Sequence, residues 1–247
     1  MKLAVHFTPV GVNAGTTAGK PVLVIDVLRA TTTMIVALAN GAKEIIPAAS
    51  ADDALKLAQN LEKGHVLLAG ERHADRIPGF ALGNSPLEMT REAVGGRTLV
   101  MTTTNGVQAL LAVDSARPVL IGAAVNFSAA AAAAWQAFER AGELTILCAG
   151  REKAFALEDA YAAGRFVEAV VPGKLRRAVE VNDAVIAARE LVRKFGNDWK
   201  KAVTASTHAR YLKGRDFAQD VAFSVQVDTY QLVPVYADRR VTIPERG

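Results

Sequence analysis

Acidic, basic and amide side chains follow the apolar runs of this sequence at four places. They are Asp26 with Arg29, Glu71 with Arg72, the stretch Thr102–Asn105, and Glu158 with Asp159. Arginine binds phosphate or sulfonate through charge-assisted, often forked hydrogen bonds, whereas carboxylates bind hard divalent cations. Acids beside arginines therefore indicate a site that holds a small anion together with a metal ion.

The available donors favour magnesium over zinc. Carboxylates are present at Asp26, Glu71, Glu158 and Asp159, and neutral carbonyl oxygens at Asn84 and Asn105. Mg²⁺ takes such oxygen ligands, usually one or two carboxylates completed by water and substrate oxygens. Zinc is disfavoured because the four histidines show no ligand spacing and the single cysteine, Cys148, stands alone.

The common phosphate-handling motifs are absent. After Cys148 the sequence reads AGREKA, with alanine where a cysteine phosphatase needs arginine, so Cys148 is predicted to be a small apolar residue at a strand end. The D-x-D-x-T motif of aspartate phosphotransferases fails because Leu28 replaces its second aspartate. The GxxxxGK[ST] phosphate loop and the GxGxxG dinucleotide fingerprint are also missing.

An apolar strand, a polar turn and a helix recur along the chain. VLVI leads into MIVALANG, TLVM into VQALLAVD, and LTILC into AYAAGRFVEAVV. This alternation predicts an α/β fold whose sheet is largely parallel or mixed and is covered by helices on both faces. Ligands bind beyond the carboxyl ends of the strands in such sheets, and helix starts there offer N–H groups to an anion. We therefore expect the four polar turns at the same end of one sheet.

The pattern also predicts some element limits. Ser50 with Asp53 predicts the start of a helix over 51–63, closed by Gly64. The apolar stripe in 183–195 predicts an amphipathic helix that ends before a glycine. The runs LVPVY and RRVTI predict a C-terminal strand pair near an edge of the sheet.

Nothing in the sequence divides it into independent domains. No linker rich in Gly, Pro or Ser interrupts it, so residues 1–247 are predicted to form one α/β domain or two closely packed halves. A threonine triplet follows the strand in two of the units, at Thr31–Thr33 and Thr102–Thr104. An internal duplication would explain this likeness, and so would the frequent use of threonine at helix starts.

The composition favours a cytoplasmic protein with a small anionic ligand. The 247 residues are 51% hydrophobic with a net charge of +4, which allows a substantial core and favours anionic partners. No aromatic-and-basic platform for nucleic acid is visible. No apolar run reaches the roughly 18 residues of a membrane span, and residues 1–8 lack the features of a secretory signal. A homodimer is the default expectation because it is the commonest assembly.

Six segments together resemble a known family. They are, in order, VIDVLRATTT, GERHADRIPGFALGNSP, TTTNGV, CAGREKAFALEDAYAAG, STHARYL and FAQDVAF. They resemble the motifs of the 2-phosphosulfolactate phosphatase family, also called ComB, which belongs to coenzyme M biosynthesis in some archaea. The resemblance implies a three-layer α/β/α fold and Mg²⁺-dependent hydrolysis of the phosphate monoester of 2-phosphosulfolactate to 3-sulfolactate and phosphate.

The resemblance also assigns site residues motif by motif. It places in four motifs, in order, Asp26, Arg29, Thr31, Thr32 and Thr33; Glu71, Arg72, Gly83, Asn84 and Ser85; Thr103, Thr104, Asn105 and Gly106; and Glu158, Asp159 and Gly164. Three positions depart from the family pattern, since Ala74 and Ala209 replace glycines and Ala81 replaces an aspartate. These changes bear on the substrate more than on the chemistry.

The expected mechanism distributes these residues around a phosphate monoester. Asp26 and Asp159 bind Mg²⁺, with Glu158 close by. The metal and Arg29 hold the phosphoryl oxygens and stabilise the charge on the transferred group. The threonine hydroxyls and the N–H groups of residues 103–106 help to bind that group.

The second anionic group of the substrate is expected to bind elsewhere in the site. Arg72 holds the sulfonate or carboxylate, and Asn84 and Ser85 orient it. A metal-bound water attacks in line, and Glu71 or Glu158 positions or deprotonates it.

Some alternatives stay open. Asp26 could instead be a nucleophile that forms an aspartyl phosphate. His208 could protonate the leaving oxygen, although a packing role for this histidine is preferred. The chain could also act on another small phosphorylated hydroxy-acid, or sense an anionic metabolite without catalysis. The adjacent Glu158 and Asp159 argue against the sensor, because carboxylates weaken anion binding unless a metal offsets them.

Overall fold

The computed structural model describes residues 1–62, 64–171 and 179–244. The strands in these residues are β1 (Lys2–His6), β2 (Val22–Ile25), β3 (Glu44–Pro47), β4 (Val66–Arg72), β5 (Asp75–Arg76), β6 (Thr98–Thr102), β7 (Val119–Gly122), β8 (Glu143–Cys148), β9 (Glu180–Val181), β10 (Val235–Ala237) and β11 (Arg240–Thr242). The α-helices are α1 (Ala14–Thr17), α2 (Ala30–Ala39), α3 (Ala51–Gln59), α4 (Arg91–Val94), α5 (Gly106–Ala112), α6 (Phe127–Ala141), α7 (Leu157–Val170), α8 (Asp183–Phe195), α9 (Trp199–Thr204), α10 (Thr207–Lys213) and α11 (Ala218–Ser224). Two 3₁₀ turns are formed by Pro86–Glu88 and Ala124–Asn126.

The strands form one mixed sheet in the order β5-β4-β6-β3-β11-β10-β7-β2-β8-β1-β9. Strands β4, β6 and β3 are parallel to one another, and so are β7, β2, β8, β1 and β9. The antiparallel hairpin β10–β11 joins these two groups by pairing with β7 on one side and β3 on the other. The predicted α/β fold with a largely parallel or mixed sheet is confirmed.

The C-terminal strand pair forms as predicted, but its predicted position near an edge is wrong. The hairpin lies inside the sheet because each of its strands has a partner on its outer side. Tyr236 of β10 pairs with Val119 of β7, and Val241 of β11 pairs with Ile45 of β3. Tyr236 and Val241 are fully buried, so the hairpin completes the core between the two groups.

The three antiparallel steps across the hairpin make the two parallel groups run in opposite directions. The expectation that all four polar turns share one end of a parallel sheet is therefore wrong. The turns meet nevertheless, since Asp26 after β2 approaches Gly106 after β6. A right-handed twist of roughly 20–25° per strand amounts to about 100–125° over the five steps from β2 to β6. Such a twist turns the carboxyl ends of these opposed strands toward one another.

Two strand–helix–strand units are arranged symmetrically about the hairpin. The unit β2–α2–β3 crosses from the larger group to the smaller one, and β6–α5–β7 makes the reverse crossing. The two threonine triplets are not equivalent, since Thr31–Thr33 lie inside α2 whereas Thr102 ends β6. Duplication of one unit would produce the symmetric strand order, and it stays a prediction.

Helices cover both faces of the sheet and give the three-layer α/β/α fold. Helices α2 and α5 cover one face, whereas α6–α9 cover the opposite face of the larger group and α3 that of the smaller group. In β2, Leu23 and Ile25 pack toward α6–α9, and Val22 and Val24 toward α2 and α5. A strand buried on both faces needs a continuous apolar run, which is why VLVI does not alternate.

Two predicted helix limits can be compared with the structure. Ser50 caps α3, since its Oγ accepts a hydrogen bond from the N–H of Asp53 at 3.1 Å, but α3 ends at Gln59, before the predicted limit of 51–63. Helix α8 (Asp183–Phe195) has the predicted bounds. In the part of the chain that the structure describes, no helix is long and apolar enough to cross a membrane.

Candidate active site

The four polar turns surround one cleft. The turns after β2, β4, β6 and β8 line it together with α10. The volume of the cleft, including its open mouth, is about 440 Å³. Charged, amide and hydroxyl groups dominate the lining, which suits a small polar ligand.

Asp26 stands at the carboxyl end of β2 and lines the buried part of the cleft, with 4% of its surface exposed. Its Oδ1 accepts a hydrogen bond from the N–H of Ala30 at 3.2 Å, at the start of α2. Thr31 closes the same turn, because its Oγ1 accepts from the N–H of Asp26 at 3.0 Å and donates to the carbonyl of Asp26 at 2.8 Å. The turn fixes Asp26 and leaves Oδ2 without a hydrogen bond to the other described residues.

The other threonines of α2 also serve the fold. Thr32 Oγ1 donates to the carbonyl of Val27 at 2.9 Å, and Thr33 Oγ1 to the carbonyl of Asn84 at 2.9 Å. Both side chains are fully buried, and neither they nor Thr31 line the cleft. The structure shows these hydroxyls bonded to backbone carbonyls, and the expected contact of Thr31 and Thr32 with substrate stays a prediction.

Helix α5 begins directly against the β2 turn. A Cβ atom on Gly106 would lie 2.5 Å from Ala30 Cβ and 2.7 Å from Asp26 Oδ2, which is closer than real Cβ contacts. Glycine therefore allows the first residues of α2 and α5 to approach each other. This approach brings the turns after β2 and β6 to the same cleft, and Gly106 is expected to act through it rather than by binding substrate.

Arg29 is buried and paired with an acid from α11. Its Nη1 donates to Asp220 Oδ2 at 2.6 Å and its Nη2 to the carbonyl of Ala74 at 2.8 Å. The guanidinium lies over the ring of Phe217, 4.2 Å from the centroid. Asp220 Oδ1 accepts a hydrogen bond from Ser85 Oγ at 2.7 Å. This network ties four segments together, and it engages Arg29 and Ser85 in contacts within the protein, whereas their expected contact with substrate stays a prediction.

Glu71 joins the β4 turn to the β6 turn. Its Oε1 accepts from the N–H of Thr104 at 2.7 Å, and its Oε2 from the N–H of Ala74 at 3.0 Å and the hydroxyl of Thr104 at 3.2 Å. Arg72 donates to the carbonyl of Glu71 at 2.8 Å and to Thr102 Oγ1 at 3.1 Å, and it lies outside the cleft lining. Its position does not support the expected binding of sulfonate or carboxylate.

Helices α7 and α10 bring a carboxylate and a histidine together beside the cleft. Glu158 Oε1 lies 2.9 Å from His208 Nδ1, and both side chains are largely buried. Glu158 Oε2 is buried and has no hydrogen-bond partner among the described residues. His208 lines the cleft, a position that allows it to contact a ligand, and the preference for a packing role stays a prediction.

Burial and mutual repulsion shift the pKa values of the carboxyl groups here. Burial raises the pKa of Asp26 to about 7; the charge of His208 and a backbone hydrogen bond oppose this rise, and the charges of Glu71 and Glu158 add to it. Burial also raises the pKa of Asp159, followed by the charges of Asp26 and Glu158. These groups therefore lie close enough to interact electrostatically. Carboxyl groups with pKa values shifted in this way are typical of functional sites.

Asp159 connects the turns after β2 and β8. Its Oδ1 accepts from the N–H of Val27 at 2.9 Å and its Oδ2 from the N–H of Gly150 at 3.1 Å. It does not line the cleft. Its neighbour Cys148 is fully buried at the end of β8, as predicted for a small residue at a strand end.

The turn after β8 brings a second arginine to the cleft. Arg151 and Ala154 exchange backbone hydrogen bonds of 2.9 and 2.8 Å. Between them, the N–H of Glu152 donates to Asn105 Oδ1 at 2.8 Å, which fixes this turn against the β6 turn. The guanidinium of Arg151 lies over the ring of Tyr211, 4.3 Å from the centroid.

A sequence model described as 2-phosphosulpholactate phosphatase matches residues 6–239, a range that contains all four turns. The chain belongs to the 2-phosphosulpholactate phosphatase family. Membership of this family identifies it as a phosphoric monoester hydrolase, as the motifs predicted.

Relatives in this family match almost the whole chain. The chain is 38% identical over 215 residues to a probable 2-phosphosulfolactate phosphatase of Caldanaerobacter subterraneus subsp. tengcongensis. The matched region covers 87% of this chain and 87% of the relative. It is 37% identical over 228 residues to one of Symbiobacterium thermophilum, covering 92% of this chain and 96% of the relative. It is 39% identical over 213 residues to one of Deinococcus radiodurans, covering 86% and 85%.

The carboxylates in and beside the cleft are of the chemical type that binds hard cations through oxygen. Asp26 Oδ2 accepts no hydrogen bond from the described residues, and Glu158 Oε2 is a buried oxygen without a partner among them, whereas both oxygens of Asp159 already accept backbone hydrogen bonds. Within residues 1–62, 64–171 and 179–244, no group of three or more His, Cys, Asp or Glu side chains could hold a metal ion alone. Mg²⁺ usually takes one or two carboxylates and completes its shell with substrate oxygens and water.

The cleft gathers about half of the predicted site residues. Those that line it are Asp26, Arg29, Glu71, Asn84, Thr103, Thr104 and Asn105. Those that lie behind or beside the lining are Thr31, Thr32, Arg72, Ser85, Gly106, Glu158 and Asp159. The prediction omitted Arg151, Tyr211 and Asp220. The segments REKAFALED, STHARYL and FAQDVAF that contain them were visible as motifs. No neighbouring residue indicated that Arg151 and Tyr211 reach the cleft or that Asp220 pairs with Arg29.

Proposed function

We propose that this chain hydrolyses the phosphate monoester of 2-phosphosulfolactate to 3-sulfolactate and phosphate in a Mg²⁺-dependent reaction. The observation that carries the proposal is a cleft in which buried Asp26 is accompanied by His208, itself paired with Glu158. The names of the relatives support the choice of substrate.

Asp26 and Glu158 are the residues that would hold Mg²⁺. Asp26 is fixed by the N–H of Ala30 through one oxygen only, and Glu158 has one oxygen without a partner among the described residues. When bound, the ion would neutralise charge on the phosphoryl oxygens. Stabilisation of this charge in the transition state is a main source of catalysis in phosphoryl transfer.

Neutral groups bind the phosphoryl oxygens on the other side of the cleft. Asn84 lines it, and its amide Nδ2 is the group that would donate to a phosphoryl oxygen, since its buried Oδ1, which has no partner among the described residues, can only accept. Thr103 and Thr104 also line the cleft. Glu71 and Asp220 do not act on substrate in this scheme; they hold the β6 turn and Arg29 in place.

His208 supplies the proton for the leaving group. Its Nδ1 lies 2.9 Å from Glu158 Oε1, and a carboxylate bonded to one ring nitrogen orients the other nitrogen toward its task. The transition state of phosphoryl transfer is loose, so negative charge develops on the leaving oxygen. Proton donation from Nε2 of His208 to this oxygen completes the release of 3-sulfolactate, while water attacks phosphorus from the opposite side and its proton passes to an oxygen of the phosphate product.

An alternative route makes Asp26 the nucleophile. Rapid quenching of wild-type protein during turnover distinguishes the two routes, because only the alternative route gives a phosphorylated protein. Direct attack by water predicts that no such protein accumulates.

The test of the proposal is phosphate release from 2-phosphosulfolactate, with Mg²⁺ and with EDTA, by wild type and by Asp26→Ala. A matched control is Asp52→Ala, which removes an exposed acid from α3. We expect release that needs Mg²⁺, disappears in Asp26→Ala and persists in the control. Release from other phosphate esters but not this one would retain the chemistry and reject the substrate. No release from any ester by folded protein would favour a sensor of anionic metabolites.

A further inference from the structure

The cleft is lined by two arginines, and they differ in their partners. Arg29 is neutralised by Asp220 at 2.6 Å. Arg151 forms no ion pair with a carboxylate of the described residues. Its guanidinium contacts the face of Tyr211, and stacking on a ring face leaves the N–H donors at the guanidinium edge available. Arg151 therefore brings to the cleft a positive charge that no described carboxylate holds in an ion pair.

The backbone around Arg151 is held firmly. The preceding Gly150 donates to Asp159 Oδ2 at 3.1 Å, Arg151 pairs with Ala154 through two backbone hydrogen bonds, and Glu152 donates to Asn105. A side chain on such a turn is positioned before a ligand arrives, which reduces the entropy lost on binding.

The ring beneath Arg151 is fixed as well. Tyr211 donates from its hydroxyl to the carbonyl of His73 at 2.9 Å. Arg215 also contacts this ring, at 5.4 Å from the centroid, but its guanidinium is bonded to Asp75. Of these two arginines around Tyr211, Arg151 is thus the one that an anion can engage.

We propose that Arg151 selects the substrate by binding its sulfonate group. The inference rests on the proposed function. In 2-phosphosulfolactate the phosphate and carboxylate are attached to one carbon, and the sulfonate to the next. Asp26 is buried whereas Arg151 is partly exposed, so a substrate whose phosphate reaches Asp26 extends its remote sulfonate toward Arg151.

The chemistry of the substrate's sulfonate matches that of the Arg151 guanidinium. A sulfonate is always ionised and offers three oxygens, and the planar guanidinium binds two such oxygens through parallel charge-assisted hydrogen bonds. Arg72, the residue that the sequence suggested for this role, donates instead to Glu71 and Thr102. The turn after β8 therefore replaces the turn after β4 as the specificity element.

The test compares two substrates and two variants. The substrates are 2-phosphosulfolactate and 2-phospholactate, which retains the phosphate and carboxylate but lacks the sulfonate. Arg151→Gln should lower kcat/KM for the sulfonated substrate roughly 10- to 100-fold, the effect of losing a charge-assisted hydrogen bond, mainly through KM. The value for 2-phospholactate should hardly change. Lys153→Gln removes a charge two residues away that lines a neighbouring groove and should affect neither substrate.

The other outcomes overturn the inference. An equal fall for both substrates would show that Arg151 binds the phosphate or carboxylate. No fall for either substrate would show that Arg151 binds none of the three anionic groups. Arg151→Lys keeps the charge without the fork and should recover part of the sulfonate preference. Equal thermal unfolding of the variants and wild type excludes misfolding as the cause.

A binding measurement separates this inference from the proposed function. Failure of the proposed function would appear as no hydrolysis of 2-phosphosulfolactate by wild type. Titration calorimetry with 3-sulfolactate and with lactate still tests Arg151 in that case. Tighter binding of 3-sulfolactate by wild type that is lost in Arg151→Gln supports the inference, and equal affinities in wild type reject it.

Discussion

Arg29 and Asp220 are 191 positions apart in the sequence and form a buried ion pair, with Arg29 Nη1 2.6 Å from Asp220 Oδ2. Their side chains are 2% and 4% exposed. Ser85 donates to the other oxygen of Asp220, so one carboxylate fixes two of the segments that border the cleft. The pair explains how a C-terminal helix contributes to a site built from strand ends.

Replacing Asp220 by asparagine should destabilise the protein strongly. The change keeps the shape of the side chain but leaves the charge of Arg29 buried and unpaired, which costs about 3–5 kcal/mol in the free energy of unfolding. Urea denaturation measures this loss. The control is Glu180→Gln, which breaks the exposed Lys2–Glu180 pair and should cost under about 1 kcal/mol. Similar losses in the two variants would contradict a special role for the buried pair.

Gly106→Ala should reduce activity by separating the first residues of α2 and α5. The new Cβ would lie 2.5 Å from Ala30 Cβ and 2.7 Å from Asp26 Oδ2, and overpacking of this kind costs about 1–3 kcal/mol. Phosphate release should fall more than stability alone explains, because Asp26 is displaced. Gly214→Ala is the matched control, since its Cβ would have no neighbour nearer than 3.6 Å. Full activity in Gly106→Ala would show that the close approach is dispensable.

The stability of the metal-free protein should depend on the ionisation of Asp26. Its pKa rises from 3.8 to about 7, chiefly because of burial. Between these values the folded state holds a proton that the unfolded state has lost, so the free energy of unfolding falls as pH rises through this window. One proton contributes at most about 1.4 kcal/mol per pH unit, and the dependence levels off above the folded pKa.

The difference between wild type and Asp26→Asn isolates this contribution. Urea denaturation in EDTA across the same pH window should give a shallower fall for the variant. Some slope should remain, because the pKa of Asp159 is also raised. Parallel pH profiles would show that Asp26 is ionised in the folded protein throughout.

Local sequence information was sufficient for several of the elements and for the polar turns. The run VLVI is a strand because it is buried on both faces, and Asp26 follows it at the start of α2. Each of these features depends on residues a few positions apart. The hairpin β10–β11 was recognisable for the same reason, but its place inside the sheet depends on pairing with β3 and β7, which no local pattern encodes.

The roles of the arginines could not be predicted from local sequence. Arg29 stands beside Asp26 and looks available to an anion, but a distant acid neutralises it. Arg151 has no conspicuous neighbour and still brings its charge to the cleft. Whether a guanidinium is free depends on partners far along the chain. The threonines of α2 were assigned to substrate for a similar reason, since their acceptors are backbone carbonyls of the folded turn.

His208→Gln should slow hydrolysis in a way that depends on the leaving group. A general acid contributes about 10²- to 10⁴-fold, so kcat for 2-phosphosulfolactate, whose leaving oxygen is an alkoxide, should fall by about 100-fold or more. The fall should be much smaller for an aryl phosphate, because a phenolate leaves without a proton. His65→Gln, at the amino end of β4 and away from the cleft, should leave both rates unchanged. Equal losses on the two substrates would mean that His208 positions Glu158 rather than donating a proton.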